Sequence, residues 1–224
     1  KDLKLAYWLF GVPSSGESGQ AGKSKGSQTA NKQVLNLYSG TDFTSLDPAH
    51  ASDAPSFDGL YAIRSGLMTF NDDGDPIPDM AAEMPKVSKD KTVYTFKLRN
   101  DAKWSNGDPV TAHDFVYAWQ RELKPETAGE YSYIYGSARI KNASKILDKN
   151  SNLYGKVDQL GVKALDDHTL QVTLDKPTPY FVSLMTFPPF FPLNQKFVEK
   201  QGDQFASSPD KMLFNGPFVL TKWQ

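Results

Sequence analysis

Alternating apolar and polar residues predict the clearest strand of the chain at 92–99. Successive side chains of a strand point to opposite faces, so the apolar residues from Tyr94 to Leu98 would share one face of a sheet. A second alternating pattern covers 162–165 and 169–174, on either side of a polar Asp-Asp-His turn. This spacing predicts a β-hairpin whose apolar face is buried.

Apolar residues spaced three to four apart predict helices. Thr111 and Asp114 form a capping pattern ahead of an apolar stripe that ends at Trp119. Mixed helical spacing at 56–67 and a proline-led apolar segment at 177–185 predict two further helices.

The segments between these patterns contain the residues typical of loops and turns. Residues 40–54 are rich in Asp, Ser, Ala and Gly, and 71–76 is a polar turn. The run 187–192 has too many prolines for regular structure. Short strands are predicted at 33–38 and 218–223, and the second ends one residue before the sequence does. We therefore expect further chain beyond it.

Residues 1–31 differ from the rest because glycine and serine are frequent and several lysines accompany a short apolar run. This composition predicts a flexible tail or the remnant of an export segment. Residues 22–26 match the pattern G-x-S-x-G by letter. A nucleophile elbow needs a strand before it and a helix after it, and neither is predicted here.

Composition narrows the function classes. The chain has 25 Lys and Arg against 26 Asp and Glu, without the basic excess of a nucleic-acid binder. It has no cysteine and three widely spaced histidines, so we expect neither a metal site nor a cofactor. His113 beside Asp114 is the nearest approach to a catalytic pair, and a solvated helix start explains it better. We expect no enzyme, and a peptidase is a much weaker alternative.

One long segment is distinctive. Residues 89–115 read KDKTVYTFKLRNDAKWSNGDPVTAHDF. This segment closely resembles the signature of the oligopeptide-binding subgroup of extracellular solute-binding protein family 5, whose members serve ABC importers. Three further segments agree with the family in the same order, at 45–48, 160–170 and 214–218. The resemblance extends from about Lys32 to Trp223.

The resemblance implies a mixed α/β (α+β) fold of the periplasmic-binding-protein type II, in which two lobes close around a cleft. Residues 1–31 would be the tail and 32–64 the first part of the first lobe. Residues 65–191 would form an inserted α+β domain, and 192–224 would return to the first lobe. The second lobe would lie beyond this chain.

The resemblance also implies a peptide-binding site. An extended peptide would pair with the main chain of Ser52, Asp53 and Ala54 as an added strand. Tyr131 of the inserted domain matches a second contact position. Asp53 stands where some relatives have a small neutral residue, so it either alters the preference for ligand charge or points into solvent.

The expected function is the capture of oligopeptides for the membrane permease of an ABC transporter. We expect a monomer at the bacterial cell surface or in the periplasm, with no lipid anchor encoded in this chain and no nucleic-acid partner. A receptor for a signalling peptide is one alternative, and a surface interaction or chaperone-like module is another. With one lobe absent, we expect this chain alone to bind peptides weakly.

Overall fold

The computed structural model describes residues 41–223, together with the two short strands β1 (Lys4–Leu5) and β2 (Leu35–Asn36). These two strands pair antiparallel, with Leu5 opposite Leu35. The pairing agrees with the strand predicted at 33–38 and places two residues of the predicted tail in a sheet. The rest of the tail, including the match at 22–26, lies outside the described residues.

A four-stranded antiparallel sheet lies at the centre of the described fold, in the order β5-β6-β8-β7. Its strands are β5 (Lys86–Val87), β6 (Val93–Lys97), β7 (Val162–Asp166) and β8 (Thr169–Thr173). The register places Tyr94 opposite Val172 and Phe96 opposite Leu170, and all four side chains are buried. The predicted strand and hairpin are confirmed, with an irregularity in β7 before Asp166.

The remaining elements surround this sheet. Two short strands form a separate hairpin, β3 (Met68–Phe70) and β4 (Pro76–Pro78). The helices are α1 (Ala54–Ile63), α2 (Ala112–Glu122), α3 (Tyr133–Ser137), α4 (Ala143–Leu147), α5 (Phe181–Leu184) and α6 (Gln195–Gln201). Short 3₁₀ turns lie at Val157–Gln159, Pro188–Phe190, Gly202–Gln204 and Pro209–Lys211. None of the helices in the described residues is long and apolar enough to span a bilayer.

The predicted start of α2 is confirmed. The Asp114 carboxylate accepts a hydrogen bond from the Thr111 backbone N–H at 2.8 Å, and another from Trp104 Nε1 at 3.2 Å. Asp114 is buried, and burial raises the pKa of its carboxyl group. The carboxylate therefore serves the fold, while the neighbouring His113 is exposed at the helix surface.

Three sequence predictions differ from the structure, two of them in the extent of a helix and one in the type of element. Helix α1 ends before Arg64, whose extended backbone stops it four residues earlier than the predicted end at 67. Helix α5 has only four residues. Pro177 and Pro179 precede it, and Phe181 is its only buried residue. The strand predicted at 218–223 is wrong. No described strand lies beside this segment to complete a ladder, and the Phe218 N–H instead donates to Ala62 O.

The buried apolar residues form two clusters. The larger surrounds the sheet and α2 and includes Phe96, Phe115 and Trp119. The smaller packs α1 against the segment after α6, with Leu60 and Phe214 among its members. The domain boundaries suggested by the family resemblance stay a prediction, although the two clusters divide the chain in a similar way.

Candidate functional site

A turn at Asp47 directs the chain outward just before α1. The Asp47 backbone carbonyl accepts hydrogen bonds from the N–H groups of His50 and Ala51, both at 3.0 Å. The Asp47 carboxylate accepts a third from the Ala49 N–H at 3.0 Å. Leu46 and Ala51 are buried on either side of this turn. The turn is therefore anchored, and the next residue, Ser52, is exposed.

Asp53 caps the N-terminus of α1. Its carboxylate accepts hydrogen bonds from the backbone N–H of Ser56 at 2.9 Å and from the Ser56 hydroxyl at 2.7 Å, and a third from the Thr44 hydroxyl. Desolvation alone would raise the pKa of Asp53, but the hydrogen bonds from Thr44 and Ser56 hold it below its usual value. The side chain of this partly exposed residue is thus held in the helix cap by these hydrogen bonds.

The main chain at Ser52 is free to bind another chain. Among the described residues, neither its N–H nor its C=O has a hydrogen-bond partner. The Asp53 carbonyl is already used, because it accepts from the Phe57 N–H at 3.1 Å. Ser52 and Ala54 are both exposed. The predicted contact segment is therefore accessible, and among the described residues the backbone N–H groups of all three of its residues lack a hydrogen-bond partner, as does the Ser52 C=O.

Tyr131 lies in an aromatic cluster, defined here as Phe57, Tyr131, Tyr133 and Phe187. Its ring centroid is 5.5 Å from that of Phe57 and 5.2 Å from that of Phe187, in edge-to-face geometry. Tyr133 lies 5.9 Å from Tyr131 and is 60% exposed. The Tyr131 hydroxyl makes no hydrogen bond to any residue between 41 and 223, so it is available to a ligand.

The structure brings the two predicted contact regions together through Phe57. This residue lies in the first turn of α1, directly after Ser52–Ala54, and its ring contacts Tyr131. Sequence reasoning missed Phe57 and Phe187 as members of the site. Helical spacing assigned Phe57 to packing, and the proline-rich run assigned Phe187 to a loop. Sequence patterns depend on residues that are close along the chain, so they could not predict the contact between Phe57 and Phe187, which are 130 residues apart.

A cavity of about 500 Å³ is lined in part by Thr186, the residue that precedes Phe187 of the aromatic cluster. Tyr61, one helical turn beyond Phe57, lines it and stacks edge-to-face on Phe191 at 5.9 Å. Arg99 and Asp101 also line the cavity and form a bidentate ion pair with each other, at 3.0 and 2.9 Å. Helix α1 therefore carries two aromatic residues with different surroundings, because Phe57 contacts the aromatic cluster and Tyr61 lines the polar cavity.

An ion-pair network centred on the buried Asp47 carboxylate lies beside this surface. Arg121 binds the Asp47 carboxylate through two hydrogen bonds of 3.0 and 2.7 Å, and His50 Nδ1 lies 3.2 Å from the same carboxylate. Burial opposes ionisation of Asp47, but His50 and Arg121 hold its pKa well below the usual range. The Asp47 hydrogen bond raises the pKa of His50 to about 9. These pairs join the turn that precedes Ser52 to helix α2.

The fold and the surface define a class of protein, the ligand-binding proteins of the periplasmic-binding-protein type. The described architecture superimposes on the peptide-bound OppA of Listeria monocytogenes with a TM-score of 0.75 and 50% identity. Residues 75–224 match the family model described as "Bacterial extracellular solute-binding proteins, family 5 Middle". The chain belongs to this family, as its sequence signature predicted.

Two other relatives show how far the similarity extends. The periplasmic oligopeptide-binding protein OppA of Salmonella typhimurium is 38% identical over 223 residues, which cover 100% of this chain and 40% of that protein. The solved structure of the pheromone receptor PrgZ matches with 37% identity and a TM-score of 0.77, covering 82% of this chain and 35% of that one. The Listeria match covers 80% of this chain and 34% of that one. The chain thus spans between a third and two fifths of the relatives it matches.

Proposed function

We propose that this chain supplies one side of a peptide-binding cleft in an extracytoplasmic solute-binding protein that delivers oligopeptides to an ABC importer. The single observation that carries the proposal is the exposed Ser52 main chain, unpaired among the described residues and set beside the aromatic cluster. Every peptide offers N–H and C=O groups, so a free stretch of main chain binds peptides of many sequences by strand addition. No covalent step is part of this proposal.

The names of the relatives support the same conclusion. The Salmonella relative is named a periplasmic oligopeptide-binding protein, and the Listeria structure contains a bound peptide. The Salmonella match covers 100% of this chain, so it includes the positions of Ser52, Asp53, Ala54 and Tyr131. We extend from them a location outside the cytoplasm, a membrane permease as partner, and a monomeric state.

In this proposal Ser52, Asp53 and Ala54 contribute backbone contacts, while Tyr131 contributes its ring face and hydroxyl. The Asp53 side chain remains in its cap, so ligand charge is not read by that carboxylate. Side chains of the peptide would lie along α1 towards Tyr61 and the neighbouring cavity.

A receptor for a signalling peptide is the second candidate. The observation that favours it is the match to the pheromone receptor PrgZ, which has a TM-score of 0.77. Strand addition serves both roles, because the backbone contacts are the same. The two differ in selectivity: a nutrient receptor binds a mixed peptide pool, whereas a signal receptor binds one sequence in preference to its scrambled form.

The test is an NMR titration of this chain with unrelated tripeptides and tetrapeptides, which detects weak binding. We expect the amide signals of residues 52–57 and 131 to move together. Tyr131→Ala should weaken binding about fivefold, or about 1 kcal/mol, the contribution of one hydrogen bond. Tyr154→Ala is the matched control, because Tyr154 is a partly exposed tyrosine outside the aromatic cluster.

Two outcomes would contradict the proposal. If peptides move signals elsewhere and leave residues 52–57 unchanged, the contact segment is wrong. If Tyr131→Ala and Tyr154→Ala behave alike for every peptide, Tyr131 does not belong to the site. Micromolar binding by this chain alone would contradict the expectation that a second lobe supplies about half of the contacts.

A further inference from the structure

Glu122 is a buried carboxyl group that the proposed function does not use. It is the last residue of α2, its residue surface is 3% exposed, and its Oε1 has no hydrogen-bond partner among the described residues. A buried carboxyl oxygen without a partner is costly and is uncommon unless the group has a role. Its surroundings show what that role is.

Glu122 packs directly against the turn that leads to Tyr131. A Cβ built on Gly129 would lie 2.4 Å from Glu122 Oε1 and 2.7 Å from its backbone carbonyl, so only a glycine fits there. The backbone N–H of Tyr131 also faces the Glu122 carboxyl group. The Glu122 carboxyl group therefore packs directly against the backbone of the 129–131 segment.

The same turn is tied on its other side to the segment that precedes Ser52. His50 Nε2 lies 2.8 Å from the carbonyl oxygen of Thr127, and the Glu130 N–H donates to the Ala49 carbonyl at 2.9 Å. Ala128, between them, has a left-handed backbone with φ of 51°. The turn is thus held between two supports, the 47–50 segment and Glu122.

The groups that face Glu122 come from every element around it. Asp47 and His50 face it from the turn before Ser52, Arg121 from its own helix, and Tyr135 from α3. Burial, and then the Asp47 charge, raise the pKa of Glu122 to about 8, against the smaller opposite effects of Arg121 and His50. At neutral pH the carboxyl is mainly protonated, and it ionises in the mildly alkaline range.

We propose that Glu122 is a positioning residue, which holds the 129–131 turn so that Tyr131 lies beside Phe57 and the Ser52–Ala54 main chain. Ionisation would place a second negative charge near Asp47 and draw water to the floor of the turn. The turn would then shift and separate Tyr131 from Phe57. The consequence for peptide affinity rests on the proposed function, whereas the movement of the turn does not.

The first experiment follows the turn without any peptide. The amide signals of Glu130 and Tyr131 are recorded in this chain between pH 6 and 8.5, a range that contains the Glu122 transition at about 8. We expect both signals to titrate with that midpoint. In Glu122→Gln, which is neutral and of equal size, the step should vanish. Glu126→Gln is the matched control, because Glu126 is an exposed residue of the same turn, and it should keep the step.

A step of the same midpoint in Glu122→Gln would assign the titration to another group, such as His50, and overturn the proposal. A flat profile in the unmodified chain would do the same. Glu122→Asp, which withdraws the carboxyl from Gly129, serves as a second variant. It should displace the Glu130 and Tyr131 signals at every pH, and unchanged signals would contradict the positioning role.

The second experiment measures the affinity of a tripeptide at pH 6.5 and at pH 8.5. We expect a loss of about threefold to fivefold in the unmodified chain and a smaller ratio in Glu122→Gln. The two proposals fail in different ways. If the Glu130 and Tyr131 amide signals titrate but no peptide binds, the proposed function is wrong and the positioning role of Glu122 stands. If peptides bind equally at both pH values and the amide signals do not titrate, only the positioning role is wrong.

Discussion

At the scale of single residues, Asp53 shows how one side chain serves the fold and prepares the site at once. Its carboxylate binds the first turn of α1, and this places Ser52 and Ala54 at the exposed surface. The sequence analysis gave two interpretations of the Asp53 side chain, a contact with the ligand or exposure to solvent. It did not predict that Asp53 caps helix α1. The capping pattern was recognisable, because Asp53 and Ser56 have the spacing of an N-cap and its N3 residue.

Asp53→Ala should destabilise the protein by about 1 kcal/mol, because it leaves backbone N–H groups at the start of α1 without their acceptor. Urea unfolding followed by circular dichroism measures the difference. Asp53→Asn is the matched control, since asparagine is an equally good N-cap, and it should stay within about 0.5 kcal/mol of the unmodified chain. Equal destabilisation by both substitutions would show that the charge, and not the cap, is what matters.

Residue identity alone could not reveal Glu122. A glutamate at the end of an amphipathic helix is typical of an exposed position, and the described structure buries it beneath the 129–131 turn. The same holds for Phe57 and Phe187, whose contact depends on how distant segments pack. By contrast, Tyr131 and Ser52–Ala54 entered the candidate site through family resemblance, and the geometry brings them together.

At the scale of elements, strand alternation was the most reliable pattern. In β6 and β8 the apolar residues on one face are buried, as alternation predicts, because that face lies on the core; Thr169, on the other face, is buried as well. Short helices and terminal segments gave less information. The 218–223 segment has strand-like residues but no neighbouring strand among the described residues, and the formation of a strand depends on its neighbour as well as on its own sequence.

Leu170→Ala should cost about 2 to 5 kcal/mol of unfolding free energy, because Leu170 is fully buried opposite Phe96 and its removal leaves a cavity. Leu165→Ala is the matched control on the same hairpin, since Leu165 is 49% exposed, and it should change stability by less than about 1 kcal/mol. Denaturant unfolding compares the two. Similar losses would contradict the burial pattern of the sheet.

At the scale of the whole molecule, ion pairs and titratable groups lie between the two apolar clusters, and of these Asp47, Arg64 and Glu122 are buried whereas His50 is exposed. Asp47 and His50 belong to the segment before α1, while Arg121 and Glu122 end α2. Arg64 adds a further buried guanidinium, 5.9 Å over the Phe205 ring, and burial lowers its pKa to about 10. The relative position of α1, α2 and the turn before Tyr131 therefore depends on groups that titrate, and the stability of the fold should depend on pH.

The direction of this dependence follows from the pKa shifts. Glu122 has its pKa raised from 4.5 to about 8, so its favourable contribution is complete below about pH 4.5 and is lost as the pH rises to 8. His50 has its pKa raised from 6.5 to about 9, so its contribution is complete below pH 6.5 and is lost as the pH rises to 9. Asp47 acts in the opposite sense, since its lowered pKa stabilises the fold above pH 3.8 and this is lost in acid. Stability should therefore be greatest in mildly acidic solution.

The free energy of unfolding should then fall between pH 5 and pH 8, by up to about 4 kcal/mol from Glu122, since each pKa unit corresponds to about 1.4 kcal/mol. Glu122→Gln removes this contribution and keeps that of His50, so its curve should be flatter between pH 5 and 6.5 and fall only above that range. Urea unfolding at pH 5, 6.5 and 8 measures both curves, with Glu126→Gln as the exposed control that should follow the unmodified chain. Parallel curves for the unmodified chain and Glu122→Gln would show that Glu122 ionises as easily in the folded protein as in the unfolded chain. The protonation of Glu122 would then not contribute to holding the turn before Tyr131.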